Sequence, residues 1–199
     1  MINRLDDFLL ESDIPQEIRE GYLSAISSIL PFDEAEALDL SVVLKWLKES
    51  SSLNKPHNMD RHLGVLCPVL SPDFRSTFLI NHKKAQMWLP PGGHVDFGVT
   101  LEQAASDELR EELGIKNPQS LYQNPIFLTQ TLTQGLNAGH IDITSWYPFR
   151  GDPNANYNIQ EKEASQGKWI PISEILAHPQ YSNLHRGYAK LSRLLGFDY

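Results

Sequence analysis

Apolar residues recur at helical spacing in the first third of the chain. They return every three or four positions from Pro15 to Leu30 and again from Asp33 to Glu49, which is the pattern of amphipathic helices. A segment rich in Ser, Asn and Pro follows from Ser50 to Asp60 and is typical of a linker. The pattern therefore predicts an N-terminal helical extension over residues 1–58, whose apolar faces pack on residues 59–199 or on a second copy of the chain.

The pattern changes after His62 to short apolar runs with β-branched and aromatic residues, which favour strands. The predicted strands are Leu63 to Leu70, Ser76 to Ile80, Ile126 to Thr131, Ile141 to Tyr147 and Lys168 to Ile172. The predicted helices between and after them are Leu101 to Leu113, Ser173 to Ala177 and Leu184 to Leu195. This order of elements predicts an α+β fold in which helices cover a mixed β-sheet.

Composition and charge exclude several classes of protein. With 199 residues, 41% of them hydrophobic, the chain can bury one sizeable core. Its formal net charge of −8 disfavours a long nucleic acid as ligand, because a polyanion would be repelled. No stretch approaches the roughly 20 apolar residues of a membrane span, and Met1 to Leu10 lacks the apolar core of a signal peptide. Cys67 is the only cysteine, which excludes an intrachain disulfide, and we expect a cytoplasmic protein without a membrane partner.

The segment from Pro90 to Ile115 carries the strongest chemical signal. It opens with prolines and glycines that mark a tight loop, whose backbone can approach a ligand closely. Thr100 is a favourable N-cap, Gln103 completes a capping box, and Gly114 stands where a left-handed C-cap is expected. These residues predict a helix from Leu101 to Leu113 directly after the glycine loop.

Three glutamates share one face of that helix. Glu108, Glu111 and Glu112 stand at i, i+3 and i+4, beside an apolar stripe that faces the core. Carboxylates at this spacing repel one another by a few tenths of a kcal/mol per pair, and a bound cation would relieve the repulsion. An isolated run of this kind is more often a solvated acidic surface, but the glycine loop before it favours a site for Mg²⁺ or Mn²⁺.

The same residues resemble the Nudix box, G-x5-E-x7-R-E-U-x-E-E-x-G-U, in which U is a bulky aliphatic residue. Aligned on Gly93, the sequence retains the following positions of the motif: Glu108, Leu109, Glu111, Glu112, Gly114 and Ile115. Two positions depart from it, because Val99 replaces the first Glu of the box and Asp107 replaces its Arg. In the family these two residues support one another beside the metal ligands, so their joint loss leaves the ligands intact and alters their surroundings.

The resemblance implies a Nudix-type α/β/α sandwich over residues 59–199 and a hydrolase that uses Mg²⁺, with Mn²⁺ as a substitute. The implied substrate is a small nucleotide-type molecule, a nucleoside diphosphate linked to another moiety. Its phosphoanhydride (pyrophosphate) bond would be cut by attack of a metal-activated water on phosphorus. The implied metal ligands are Gly92 through its carbonyl, Glu108, Glu111 and Glu112, and the implied catalytic residues are Glu108 and Glu163. Many family members are dimers, so a homodimer is a further expectation.

Basic and imidazole side chains supply candidate substrate contacts. His94 directly follows the glycine pair, and we expect it either to bind substrate phosphate or to order the loop. Lys83 and Arg150 are candidate phosphate contacts, although each would also fit an ordinary surface position. His140 and Asp142 stand two apart and would share one face of a regular strand, either in the pocket or towards solvent.

Two alternatives stay open at this point. Glu161 is a second choice for the loop carboxylate after Glu163, and either acid could instead be solvated. The departures at Val99 and Asp107 also allow a non-catalytic Nudix-fold module that binds nucleotides or has a regulatory role. Release of product from a nucleotide in the presence of Mg²⁺ would distinguish an enzyme from such a module.

Overall fold

The computed structural model describes residues 14–55, 57–133 and 139–197 of the chain. The expectation about Met1 to Leu10 therefore lies outside the described residues. Within these ranges, no helix is both long enough and apolar enough to cross a membrane.

Two helices precede the sheets, as the apolar spacing predicts. Helix α1 spans Gln16–Ser27 and helix α2 spans Glu34–Glu49. The side chain of Asp33 caps α2 by accepting a hydrogen bond of 2.8 Å from the Glu36 N–H. Both predicted helices are confirmed.

The described residues after them form ten strands, three further helices and a 3₁₀ segment. The strands are β1 (Arg61–Leu66), β2 (Val69–Leu70), β3 (Ser76–His82), β4 (Met87–Leu89), β5 (Gly92–His94), β6 (Gln119–Ser120), β7 (Phe127–Leu132), β8 (Ile141–Trp146), β9 (Phe149–Arg150) and β10 (Ala164–Pro171). The helices are α3 (Leu101–Leu113), α4 (Ile172–Ala177) and α5 (His185–Leu194), with the 3₁₀ segment at Pro179–Leu184.

The strands form two mixed sheets. One has the order β5-β1-β8-β7, in which β1 runs parallel to β8 and antiparallel to β5. The other has the order β10-β3-β2-β9-β6, with β4 paired to β3. Helices α1, α2 and α3 share one apolar core with strands of both sheets, whereas α4 and α5 belong to a second apolar cluster. The predicted α+β fold with a mixed sheet and an N-terminal helical segment is confirmed.

The prediction of one continuous strand from Leu63 to Leu70 is wrong. Strands β1 and β2 are separate and belong to different sheets. Pro68 between them has no N–H to give to a ladder, and the Cys67 N–H donates to the Pro91 carbonyl at 2.7 Å. The chain therefore passes from one sheet to the other beside the glycine loop.

The N-terminal helices pack against the sheets. Tyr22 and Val43 are buried in the same apolar cluster as the strand residues. The Tyr22 hydroxyl donates to the Val99 carbonyl at 2.5 Å, and the Asn54 amide donates to the Val95 carbonyl at 2.7 Å. Packing on the residues that follow, the first of the two predicted alternatives, is therefore observed. The boundary near residue 58 stays a prediction.

A buried ion pair joins α2 to α5. Lys190 Nζ lies 2.8 and 2.9 Å from the two carboxylate oxygens of Glu36, and the two side chains are 7% and 0% exposed. The same carboxylate accepts hydrogen bonds from the Phe32 N–H at 2.6 Å and the Leu128 N–H at 3.2 Å. The carboxylate of Glu36 therefore connects α2 of the extension both to β7, through Leu128, and to α5, through Lys190.

Helix α3 begins and ends at the predicted residues. Thr100 Oγ1 accepts a hydrogen bond of 3.2 Å from the Gln103 N–H, and Gly114 adopts a φ of 71° as the C-cap. The predicted capping box is not closed, because the Gln103 amide donates to the Asp107 carboxylate at 2.8 Å instead. The first half of the motif is sufficient to start the helix here.

Candidate functional site

The glutamates of α3 lie against the glycine loop. The Gly92 N–H donates to Glu112 Oε2 at 2.9 Å. A Cβ on Gly93 would collide with the Glu108 carboxylate, and a Cβ on Gly92, whose φ is 158°, would collide with the Val65 carbonyl. Glycine at position 92 therefore lets the loop lie close to β1, and glycine at position 93 leaves the space that the Glu108 carboxylate occupies. The approach of α3 to the loop also depends on burial of the apolar stripe of the helix, which consists of Ala105, Leu109 and Leu113.

Burial raises the pKa of two of these carboxyl groups. The pKa of Glu108 rises from 4.5 to about 8, mainly by burial and then by repulsion from other carboxylates, Glu112 first among them. The pKa of Glu112 rises to about 7, again mainly by burial, although the Gly92 N–H partly opposes the rise. The fold thus concentrates negative charge where water stabilises it poorly, which is an environment that a divalent cation would stabilise.

Glu163 joins this group from the loop before β10. Its carboxylate pairs with Lys84 Nζ at 2.9 Å and lies 4.0 Å from His82 Nε2. One carboxylate oxygen each of Glu112 and Glu163 and one ring nitrogen of His82 lie within 4.8 Å of one another. Glu161, by contrast, is exposed. Of the two loop acids, Glu163 is the one that the structure brings to the acids of α3.

Backbone hydrogen bonds hold the loop that carries Glu163. The Asn158 N–H donates to the Leu113 carbonyl at 3.0 Å, and the Gln160 N–H donates to the Glu112 carbonyl at 2.9 Å. On the other side, the Lys83 N–H donates to the Glu163 carbonyl at 2.8 Å. The loop therefore bridges the end of α3 and the β3–β4 turn, which fixes the approach of Glu163 to the helix.

A second group of ionisable side chains, the histidine cluster, consists of His62, His94, His140 and Asp142. The Nε2 atoms of its three histidines lie 2.9, 3.5 and 3.2 Å from Asp142 Oδ1, in that order. Lys55 Nζ lies 3.3 Å from His94 Nε2 and 3.5 Å from His140 Nε2. The sequence alone left the direction of His140 and Asp142 open, and it gave no reason to select His62 or Lys55. The structure turns His140 and Asp142 towards the cleft.

The carboxylates of α3 and three members of the histidine cluster, His94, His140 and Asp142, line one cleft, whose cavity volume is about 450 Å³. Apolar side chains such as Met87 and Leu89 and hydroxyls such as Thr129 and Thr144 complete its walls. A concave site of this size, with a few convergent polar groups, suits a small molecule.

Only one of the three predicted substrate contacts lies in the cleft. His94 lines it. Lys83 Nζ instead donates to the Glu161 carbonyl, and the Arg150 guanidinium stacks on the ring of Phe74 at 5.3 Å from its centre. Lys84 lines the cleft in place of its neighbour, because successive residues of the β3–β4 turn point in different directions.

The two residues that depart from the Nudix box have their own partners. Val99 packs on the apolar core, and its carbonyl accepts the hydroxyl hydrogen bond from Tyr22 of α1. Asp107 pairs with Arg110 and accepts the Gln103 amide on the outer side of α3. Val99 thus contacts the N-terminal extension, and Asp107 contacts neighbouring side chains on the surface of α3.

Comparison with known proteins identifies a family and its fold. The sequence model of the NUDIX domain matches residues 60–193. Among curated proteins, none is significantly similar in sequence.

Solved structures resemble this chain in fold at low sequence identity. A hydrolase of the NUDIX family from Clostridium perfringens is 24% identical, with a TM-score of 0.52 over 68% of this chain and 99% of that one. The C. elegans Ap4A hydrolase is 17% identical, with a TM-score of 0.55 over 67% and 98% of the two chains. The E. coli dihydroneopterin triphosphate pyrophosphohydrolase is 14% identical, with a TM-score of 0.52 over 69% and 95%.

Proposed function

Because this chain belongs to the Nudix family of hydrolases, which generally cleave pyrophosphate bonds in nucleoside diphosphate derivatives, we propose that it is a Mg²⁺-dependent enzyme of this kind. The proposed substrate is a nucleoside diphosphate linked to another moiety. One observation carries the proposal: Glu108, Glu111 and Glu112 line the cleft together with the Gly92–Gly93 loop.

The donors at this place fit a magnesium ion. The proposed ligands are the carboxylates of Glu108, Glu111 and Glu112 and the carbonyl of Gly92, which together form an oxygen-only set. Mg²⁺ prefers carboxylate and carbonyl oxygens, and Mn²⁺ accepts the same ligands. The raised pKa values of Glu108 and Glu112 agree with this assignment, because a cation would stabilise their charged forms.

The chemistry then divides between the ion and the carboxylates of the chain. A bound Mg²⁺ would supply charge stabilisation at the phosphoryl oxygens and lower the pKa of water in the site. The Glu163 carboxylate accepts the proton of the attacking water, and its pairing with Lys84 holds it on the side facing α3. Glu108, which lies against Gly93, orients the same water towards phosphorus.

Positive charge in the cleft suits the phosphates of the substrate. Lys84 and Lys55 both line it, and Lys84 is our proposed phosphate contact. A phosphate contact from His94 stays a prediction. Its Nε2 lies beside Lys55 and Asp142, which would compete with a phosphate for this nitrogen.

A panel of nucleotides tests the proposal. The purified chain is incubated with Mg²⁺ and with nucleoside diphosphate sugars, dinucleoside polyphosphates and nucleoside triphosphates, and the products are identified by mass spectrometry. We expect cleavage of a phosphoanhydride bond in at least one of the first two groups, with ¹⁸O from labelled water in a phosphate-containing product. Binding of Mg²⁺ or nucleotide without any turnover would overturn the proposal in favour of a non-catalytic module.

A further inference from the structure

The histidine cluster is assembled by three neighbouring strands. Strand β1 lies between β5 and β8, and the register places His62 opposite Asp142 and Gly64 opposite His94. His140 stands directly before β8, two residues from Asp142. Four side chains that are common metal ligands therefore meet on one part of the sheet, and none of them belongs to the carboxylate group on α3.

The spacing of the donor atoms is that of ligands around a small cation. All four donor atoms lie within 4.8 Å of one another, and Asp142 Oδ1 is 2.9 to 3.5 Å from the three Nε2 atoms. A tetrahedral Zn²⁺ with bonds of about 2.0–2.1 Å separates its ligand atoms by about 3.3 Å. The distances from Asp142 Oδ1 to the three Nε2 atoms lie on either side of this value.

Two of these atoms are buried and form no hydrogen bond within the described residues. They are His62 Nε2 and Asp142 Oδ1, which lie 2.9 Å apart, and the His62 side chain is 0% exposed. Buried polar atoms rarely stay without a partner. A separation of 2.9 Å without hydrogen-bond geometry is expected when both atoms are ligands that point at a common metal ion rather than at each other.

The other ring nitrogens are arranged as in metal-ligating histidines. His62 Nδ1 lies 3.0 Å from the Asn58 carbonyl, and His140 Nδ1 lies 3.2 Å from Thr133 Oγ1. A carbonyl can only accept, so His62 Nδ1 carries a proton, and in the neutral imidazole Nε2 then presents a lone pair to the cluster. Such an outer hydrogen bond fixes the tautomer that a metal ion requires.

Lys55 indicates that the cluster attracts positive charge. Its ammonium group lies within 3.5 Å of two of the imidazole nitrogens, His94 Nε2 and His140 Nε2. An ammonium that close to the donors competes for the same negative potential, so a metal ion would have to displace it.

We propose that the histidine cluster binds one Zn²⁺ or a similar transition-metal ion per chain. Three imidazole nitrogens and one carboxylate oxygen are ligands that Zn²⁺ prefers, whereas Mg²⁺ prefers oxygen ligands alone. This site is distinct from the oxygen-donor site on α3, and a bound ion would join β1 and β8 to β5, the strand that carries the glycine loop.

Metal binding to the purified full-length chain, first treated with a chelator, tests the proposal. Zn²⁺ is titrated by calorimetry, and Co²⁺ is titrated by visible absorption, which reports tetrahedral coordination. We expect one equivalent of either ion, and an affinity lower by about 100-fold or more in His140→Gln and Asp142→Asn, because each loses a ligand. Lys55→Met should bind Zn²⁺ more tightly than the wild type, because it removes the competing charge.

Matched variants separate this site from the carboxylates and from misfolding. His185→Gln changes a histidine outside the cleft, and Glu112→Gln changes the carboxylate group; both should retain one equivalent of Zn²⁺ at wild-type affinity. The exposed His94, as His94→Gln, provides a variant whose loss of Zn²⁺ is not explained by a damaged core. Unchanged Zn²⁺ affinity in folded His94→Gln, His140→Gln and Asp142→Asn would overturn the proposal, as would loss of Zn²⁺ in Glu112→Gln alone.

Discussion

The carboxylate group of α3 and most of the histidine cluster line the same cleft, but the chain assembles them in different ways. Glu108, Glu111 and Glu112 come from one helix, and their spacing sets their common face before any tertiary contact forms. The histidine cluster draws on three separate strands and one adjoining loop, which only the register of the sheet brings together. A local group can therefore be recognised in the sequence, whereas a dispersed group becomes visible only in the fold.

The two groups also differ in the ion that each would select. The carboxylate group offers oxygen atoms, and the histidine cluster offers mainly imidazole nitrogen. Hard cations such as Mg²⁺ prefer the first set and borderline cations such as Zn²⁺ prefer the second. The comparison can be tested at the buried ion pair that joins the N-terminal extension to the rest of the chain, at the two groups themselves, and at the surface of α3.

The largest effect is expected at this ion pair, where Glu36 contacts the buried Lys190. Glu36→Ala leaves an uncompensated buried charge, which costs about 3–5 kcal/mol and should lower the melting temperature by about 10 °C. Zn²⁺ affinity should also fall more than Mg²⁺ affinity, because the segment after α2 contributes the Asn58 carbonyl that holds His62 Nδ1.

Glu34→Ala is the matched control, since Glu34 is an exposed acid in the first turn of the same helix. We expect it to lower the melting temperature by about 3 °C or less. Equal, small shifts for both variants would mean that α2 adds little to the stability of the sheets.

The next effect concerns turnover, which we expect to depend on the carboxylate group of α3. Glu112→Gln keeps the volume and an acceptor for the Gly92 N–H but removes the charge, so we expect Mg²⁺-dependent kcat to fall by at least about 100-fold. Glu102→Gln, at an exposed position of the same helix outside the cleft, should stay within about twofold. If Glu112→Gln retained activity within a few-fold of the wild type, Glu112 would not be a metal ligand.

The segment around α3 was predictable because its signals are local. Thr100, Gly114 and the apolar stripe define the helix by themselves, and the structure agrees with each of them. The split between β1 and β2 was not predictable from apolar pattern, since Pro68 interrupts a run that is buried on both sides. Periodicity reports burial, and it does not report to which sheet a strand belongs.

Side-chain direction limited the prediction of the site. Lys83 and Lys84 are adjacent residues of the same type, so the sequence does not distinguish them. The geometry of the turn determines that Lys84 faces the cleft. His62 directly precedes an apolar run and carries no local signal of a site, but its fully buried imidazole faces Asp142 across the register of β1 and β8. Contacts between residues so far apart in the chain are determined by topology rather than by local pattern.

A smaller effect is expected in the pH dependence of stability without metal. The pKa of Glu108 is raised from 4.5 to about 8 in the folded chain, so its contribution to stability is complete below pH 4.5 and is lost as the pH rises through 8. Glu108→Gln does not titrate, so its melting temperature should exceed that of the wild type by a margin that grows by several °C from pH 5 to pH 8.5.

Saturating Mg²⁺ should narrow that margin at pH 8.5, because the ion stabilises the charged carboxylate of the wild type. The variant Glu102→Gln serves as the control, and its difference from the wild type should not change over this pH range. A constant margin between Glu108→Gln and the wild type would mean that burial does not raise the pKa of Glu108.

The smallest effect is expected at Asp107, one of the two departures from the Nudix box. Its carboxylate pairs with Arg110 three residues along the helix and accepts the Gln103 amide, and both partners lie on the outer side of α3. Such exposed pairs contribute about 0–1 kcal/mol, so Asp107→Asn should lower the melting temperature by about 2 °C or less and change kcat/KM by less than about twofold. Steady-state kinetics with Mg²⁺ and thermal unfolding check both values. A tenfold change in kcat/KM with an unchanged melting temperature would instead place Asp107 in the surroundings of the metal ligands, where the family has its arginine.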